Sequence, residues 1–137
     1  MSAPYSAIRS AFVQKLQAFP SLPSVAWENV SFTPVKGSPY LKPALLPGEP
    51  SQAECGTASQ NMHPGVYQIS VFAPAGAGIG ALFTLRDSLL DHFKRGTVIT
   101  YMGQSVQVTK AATGPVMQDT DWQHVPLSIY FRAYAPN

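Results

Sequence analysis

His124-Val125-Pro126-Leu127-Ser128-Ile129-Tyr130-Phe131-Arg132-Ala133-Tyr134 is the stretch that decides the fold. Val125, Leu127, Ile129, Phe131 and Ala133 are all apolar, and the positions between them are mostly polar or aromatic. Successive side chains of a strand point to opposite faces, so this period of two predicts a strand with one buried face. The odd-numbered face is expected to form the core beneath helices. The even-numbered face presents His124, Tyr130, Arg132 and Tyr134, an aromatic and cationic row of the kind enriched at interface centres.

The neighbouring segments supply more strands. Residues 97–102 and 105–109, joined across Gly103-Gln104, predict a hairpin. Tyr67, Ile69 and Val71 alternate with Gln68 and Ser70, which predicts a second half-buried strand. Residues 25–32 and 40–46 read as weaker strands. Pro43 and Pro126 lack a backbone donor, which favours edge positions or strand starts.

Two segments carry helical period instead. Ile8, Phe12, Leu16 and Phe19 recur at spacings that place them on one stripe, and Leu82, Leu85, Leu89 and Phe93 do the same. Pro4 suits the first turn of the first helix, and Pro20 and Pro23 stop it. Lys94 and Arg95 complement the dipole at the end of the second helix, and Gly96 suits its left-handed cap. One-sided helices need a surface to cover. The expected fold is therefore α+β: two helices packed on one face of a mostly antiparallel sheet.

Length fits one domain spanning residues 1–137. Hydrophobic residues make up 45% of the chain and charged residues only 12%, against about 25% in an average soluble domain. The net charge of +2 is far from the basic excess of a dedicated nucleic-acid binder. A neutral polar surface suits packing against copies of the same chain. The single cysteine, Cys55, excludes an internal disulfide and a cysteine-based zinc cage. The start of the chain lacks the pattern of a signal peptide, and the apolar run at residues 71–83 is broken by Pro74, Gly76, Gly78 and Gly80. A soluble protein made in a cytoplasm is expected.

The candidates for chemistry are few. Gly76-Ala77-Gly78-Ile79-Gly80-Ala81 fits the G-x-G-x-x-A pattern between a strand and a helix, so a nucleotide-binding protein is one alternative reading. Against it, Pro74 stands where the fingerprint needs a tight turn, and no acidic residue occurs between Asp91 and Asp119 to hold a ribose. Cys55 and His63 share a segment with no sign of the rigidity a nucleophile and its base require. His63, His92 and His124 lack the spacing of metal ligands, Asp87 and Asp91 read as a solvated helix face, and Asp119 and Asp121 as turn formers. No catalytic residue, metal site or cofactor is expected. A monomeric binding module is the other alternative.

Residues 48–64 show no period and almost no large apolar side chain, which predicts a long loop. Its expected role is contact with a neighbouring molecule, through Glu49, Glu54, Met62 and His63.

Read end to end, five segments carry a family resemblance. They are Ala26-Trp27-Glu28-Asn29-Val30, the Pro39-Tyr40-Leu41-Lys42-Pro43 to Gly48-Glu49-Pro50 stretch, Gly65-Val66-Tyr67-Gln68-Ile69-Ser70-Val71-Phe72-Ala73-Pro74, His92-Phe93-Lys94-Arg95-Gly96-Thr97, and the final strand from Trp122 to Tyr134. In this order they resemble the tail-terminator-like proteins of siphophages and prophages. The resemblance implies a small α+β subunit that assembles into a homo-hexameric ring. That ring caps the tail tube at the head-proximal end of the virion tail, after assembly in the host cytoplasm. Its implied partners are copies of itself, the tail tube protein and the head–tail connector, with DNA passing through the ring. It implies no membrane, no cofactor and no set of active-site residues.

Overall fold

A computed structural model of the chain describes residues 5–20, 22–27, 32–34, 37–48, 51–52, 60–76, 79–101, 103–119 and 121–136. At its centre, two strands of 15 residues, β4 (Gln60–Pro74) and β8 (Trp122–Pro136), pair antiparallel over their full length. Around them lie α1 (Tyr5–Gln17), β1 (Ser24–Val25), β2 (Tyr40–Pro47), β3 (Ser51–Gln52), α2 (Gly80–His92), β5 (Val98–Tyr101), β6 (Gln104–Thr113) and β7 (Met117–Gln118). The strand order is β1-β2-β4-β8-β6-β5, with β3 beside β4 and β7 beside β8. Every pairing is antiparallel except β1 with β2, so the fold is α+β with a mostly antiparallel sheet. Among the described residues no helix is long and apolar enough to cross a membrane.

The alternation read from the sequence places the core. Tyr67, Ile69 and Val71 pair with Ile129, Leu127 and Val125, and all six are fully buried. Paired residues share a sheet face, so this is one continuous apolar surface. Phe12 of α1 stacks on Tyr67 with centroids 4.6 Å apart and tilts against Phe131 at 5.2 Å and Phe93 at 6.1 Å. Leu82, Leu89 and Phe93 bring α2 and its end into the same core cluster. His92 Nε2 donates to the Lys15 carbonyl at 2.6 Å and ties the two helices together.

Prolines set where neighbouring strands stop. Pro64 and Pro126 lie inside β4 and β8, and neither can donate to the ladder. At Pro64, β2 has ended and Gly48 donates to the Pro64 carbonyl at 2.9 Å. At Pro126, β6 has ended and Gly114 does the same at 2.9 Å. A Cβ on Gly114 would stand 2.7 Å from Pro126 Cγ, so only glycine lets the chain approach this closely. Pro126 therefore occupies a gap between outer strands rather than the expected edge or strand start. Pro43 lies within β2, and beyond Leu41 no described strand flanks its outer side, so the edge expectation holds there.

Three further expectations need correction. Among the described residues, the strand expected over residues 25–32 is only Ser24–Val25, and its parallel pairing stops at Leu41, just before Pro43 removes a donor from β2. Residues 28–31 lie outside the described residues, as does Pro4. The long loop is shorter than residues 48–64: Ser51–Gln52 form β3, and residues 60–64 continue β4 against residues 132–136 of β8. That extension is held by backbone pairing, which a polar sequence does not advertise. Gly96 adopts φ +90° as expected but does not cap α2. The cap is Phe93, whose N–H donates to the Leu89 carbonyl, while Gly96 serves the turn in which Thr97 donates to the Lys94 carbonyl.

Candidate interaction surface

The sheet face opposite the core follows row by row from strand register. One end carries Tyr40, Phe72, His124 and Met117 in a row across β2, β4, β8 and β7. Tyr40 stacks on Phe72 at 4.5 Å, Phe72 on His124 at 4.7 Å, and Trp122 meets Tyr40 edge-on at 5.0 Å. Burial, with Asp119 nearby, raises the Tyr40 hydroxyl above its usual pKa. The middle rows are small and polar: Ser70 with Lys42, then Ala44, Gln68, Ser128 and Ala112.

The far end is different. Leu46, Val66, Tyr130 and Lys110 form one row, Pro64, Arg132 and Gln107 the next, and Met62 with Tyr134 the last. Leu46 is 48% exposed, Tyr130 38% and Tyr134 41%. Large apolar groups left this open on one sheet face are the composition of an interface centre. The Lys110 ammonium lies 5.4 Å from the Tyr130 ring centroid, and Arg132 Nε donates to Gln107 Oε1 at 3.1 Å. Both cations are thereby held beside the aromatic row.

The expected contact residues divide accordingly. Tyr130 and Tyr134 are exposed, and Arg132 and Met62 are half-buried on the same face. His124 belongs to the aromatic row at the other end, about 20 Å from Tyr130 at the rise of a strand. His63 is buried on the core face, with the Tyr5 ring edge-on at 5.6 Å and no hydrogen-bond partner for Nδ1. It is no surface residue, because the β4 extension places odd positions inward. Burial lowers its pKa. Glu49, Glu54 and Cys55 lie outside the described residues.

Leu46, Lys110 and Met117 were not singled out from the sequence. Leu45-Leu46 offers two apolar neighbours with no way to choose the outward one. Lys110 reaches the open face only because β6 shifts register between Val108 and Lys110. The signal for Met117 was present, as an apolar residue beside Asp119 and Asp121.

The chemical alternatives gain nothing from this geometry. Gly76 has φ +85° in the turn after β4, and Ile79, the N-cap of α2, makes no side-chain cap bond. The sheet around this turn is antiparallel, unlike a doubly wound nucleotide fold. A groove of about 600 Å³ beside it is lined by Phe19, Pro20, Pro23, Pro39, Pro74 and Leu85, with no titratable lining side chain. Among the described residues, no three His, Cys, Asp or Glu side chains gather as a metal site would require.

Comparison with known proteins addresses the remaining possibilities. No curated protein matches the chain. One solved structure is 27% identical, the match covering 97% of this chain and 96% of that one, with a TM-score of 0.74. A chain from the virion of a native gene transfer agent particle is 20% identical, with full coverage of both chains and a TM-score of 0.62, and so shares the fold. The family model described as phage tail terminator protein matches residues 7–131. The chain belongs to the phage tail terminator family and is a structural protein of the phage tail.

Proposed function

We propose that this chain, one terminator-like domain over residues 1–137, forms a homo-hexameric ring that caps the tail tube and ends its polymerisation. The ring offers the head–tail connector its docking surface, at the head-proximal end of the tail, and DNA passes through it. On this reading both helices cover the Tyr67–Ile129 face, which leaves the opposite face of the sheet for partners. The observation that carries this reading is the open far end of that face, where Leu46, Tyr130 and Tyr134 stand exposed beside Lys110 and Arg132. A ring subunit contacts two neighbours through two different surfaces, each on the order of 800 Å². A surface with only 12% charged residues in the chain suits that demand.

Light scattering over a concentration series, with and without the tail tube protein, tests the reading. Hexamers at high concentration or on tubes are expected, and tubes polymerised with the protein should stop at defined ends. Tyr130→Ala with Arg132→Ala should melt near the wild type yet fail to form rings. A protein that stays monomeric at every concentration and on tubes would refute ring capping.

A further inference from the structure

The tips of the open sheet face carry opposite charge, with an exposed cation, Lys42, between them in the row next to Tyr40 and Phe72. At one end Met117 is 44% exposed and is followed by exposed Asp119 and Asp121. Residues 114–123 contain no Lys or Arg. Asp119 lies on the open-face side, its Oδ2 3.9 Å from His124 Nδ1. At the other end Lys110 and Arg132 flank Tyr130, and β2, β4, β6 and β8 contain no Asp or Glu at all. One end is thus an apolar knob with a carboxylate rim, and the other an apolar patch with a cationic rim.

We propose that the Met117 tip of one copy seats on the Tyr130 patch of the next, with Asp119 and Asp121 facing Lys110 and Arg132. The inference rests on the self-assembly reading above and names the two surfaces it uses. Tip and patch are different places on one face, about 20 Å apart along β8, and in a ring they meet as a heterologous contact. An open row of copies keeps one free tip and one free patch until the ring closes. Opposite rims favour this junction, and like-charged ends disfavour tip-to-tip and patch-to-patch pairing.

Charge reversal gives the test. Lys110→Glu with Arg132→Glu makes one variant acidic at both ends, and Asp119→Lys with Asp121→Lys makes another basic at both ends. Each alone should need at least about tenfold more protein for half-assembly than the wild type, at low salt. Mixed in equal amounts they should assemble again, because the acidic variant's tip fits the basic variant's patch and the reverse. Thermal melts confirm that both variants fold; should Arg132→Glu unfold the chain, Lys110→Glu paired with Asp119→Lys makes the same comparison. Variants that assemble like the wild type, or a mixture of folded variants that stays monomeric, would overturn this docking and leave ring capping standing. A wild type that never self-associates would overturn both.

Discussion

Gly65 gives the sharpest test of the packing. Its backbone does not require glycine, so an alanine there would ordinarily suit a strand. The obstacle is steric: an added Cβ would lie 2.5 Å from Phe131 Cζ, 2.9 Å from Phe131 Cε2 and 2.9 Å from the Leu46 carbonyl oxygen. Carbon atoms in contact sit roughly 3.5–4.0 Å apart, so something must move by about 1 Å. Phe131 is 2% exposed and wedged against Phe12, and Leu46 is held in the β2–β4 ladder. Neither yields freely. Overpacking of this kind costs about 1–3 kcal/mol, and Gly65→Ala is expected in the upper half of that range. At roughly 3–5 °C per kcal/mol for a domain of this size, the melting temperature should fall by about 6–15 °C. Gly80→Ala is the control, since no heavy atom lies within 4 Å of its added Cβ, and it should be neutral or slightly stabilising. Phe131→Leu removes the ring tip, so adding it to Gly65→Ala should recover about 1 kcal/mol relative to the sum of the single changes. Urea denaturation of all four proteins measures the cycle. A Gly65→Ala protein within 0.5 kcal/mol of wild type, or a strictly additive cycle, would show that the ring tip does not fill the space above Gly65.

Other expectations follow from the same contacts. Ile129→Ala, at a fully buried position in the middle of β8, should cost about 2–5 kcal/mol by denaturant titration. Tyr5→Phe removes a hydroxyl that donates to the Gly48 carbonyl at 3.0 Å, and should cost about 0.5–1.5 kcal/mol without changing assembly. His63 has a folded pKa below its ordinary 6.5, so the unfolded chain takes up the proton first. Stability should be full above pH about 6.5 and decline as pH falls toward the folded pKa, and His63→Gln should flatten that acid limb in melts between pH 5 and 8. Gly96→Ala places a side chain at φ +90° and should cost about 1 kcal/mol, read from the thermal midpoint.

His63 shows why part of the surface was misread. Its segment, Gln60 to Pro64, has too few large apolar residues to announce a strand, so the sequence suggested a loop and a surface histidine. The strand forms because β8 runs on to Pro136 and supplies backbone partners for every one of those residues. Tyr130, Arg132 and Tyr134 were legible because their alternation with buried neighbours runs unbroken for ten residues. Their ladder neighbours were not, since nothing local in β2 or β6 says which residue will stand beside them.

The sequence by itself determined the elements with strong period: α1, α2, the β5–β6 hairpin, and the inward faces of β4 and β8. Covalent geometry sets those periods, so a stripe of apolar residues implies its own helix or strand and its own buried side. Tertiary structure alone decided which strands adjoin, how far β4 extends, and what the open face assembles. Lys110 is the clearest case. Two residues after buried Val108 it should point inward, yet the irregularity between Val108 and Lys110 turns it beside Tyr130. That shift exists only in the pairing of β6 with β8. Register between distant strands is set by backbone hydrogen bonds and packing across the sheet, and no local pattern in either strand contains it.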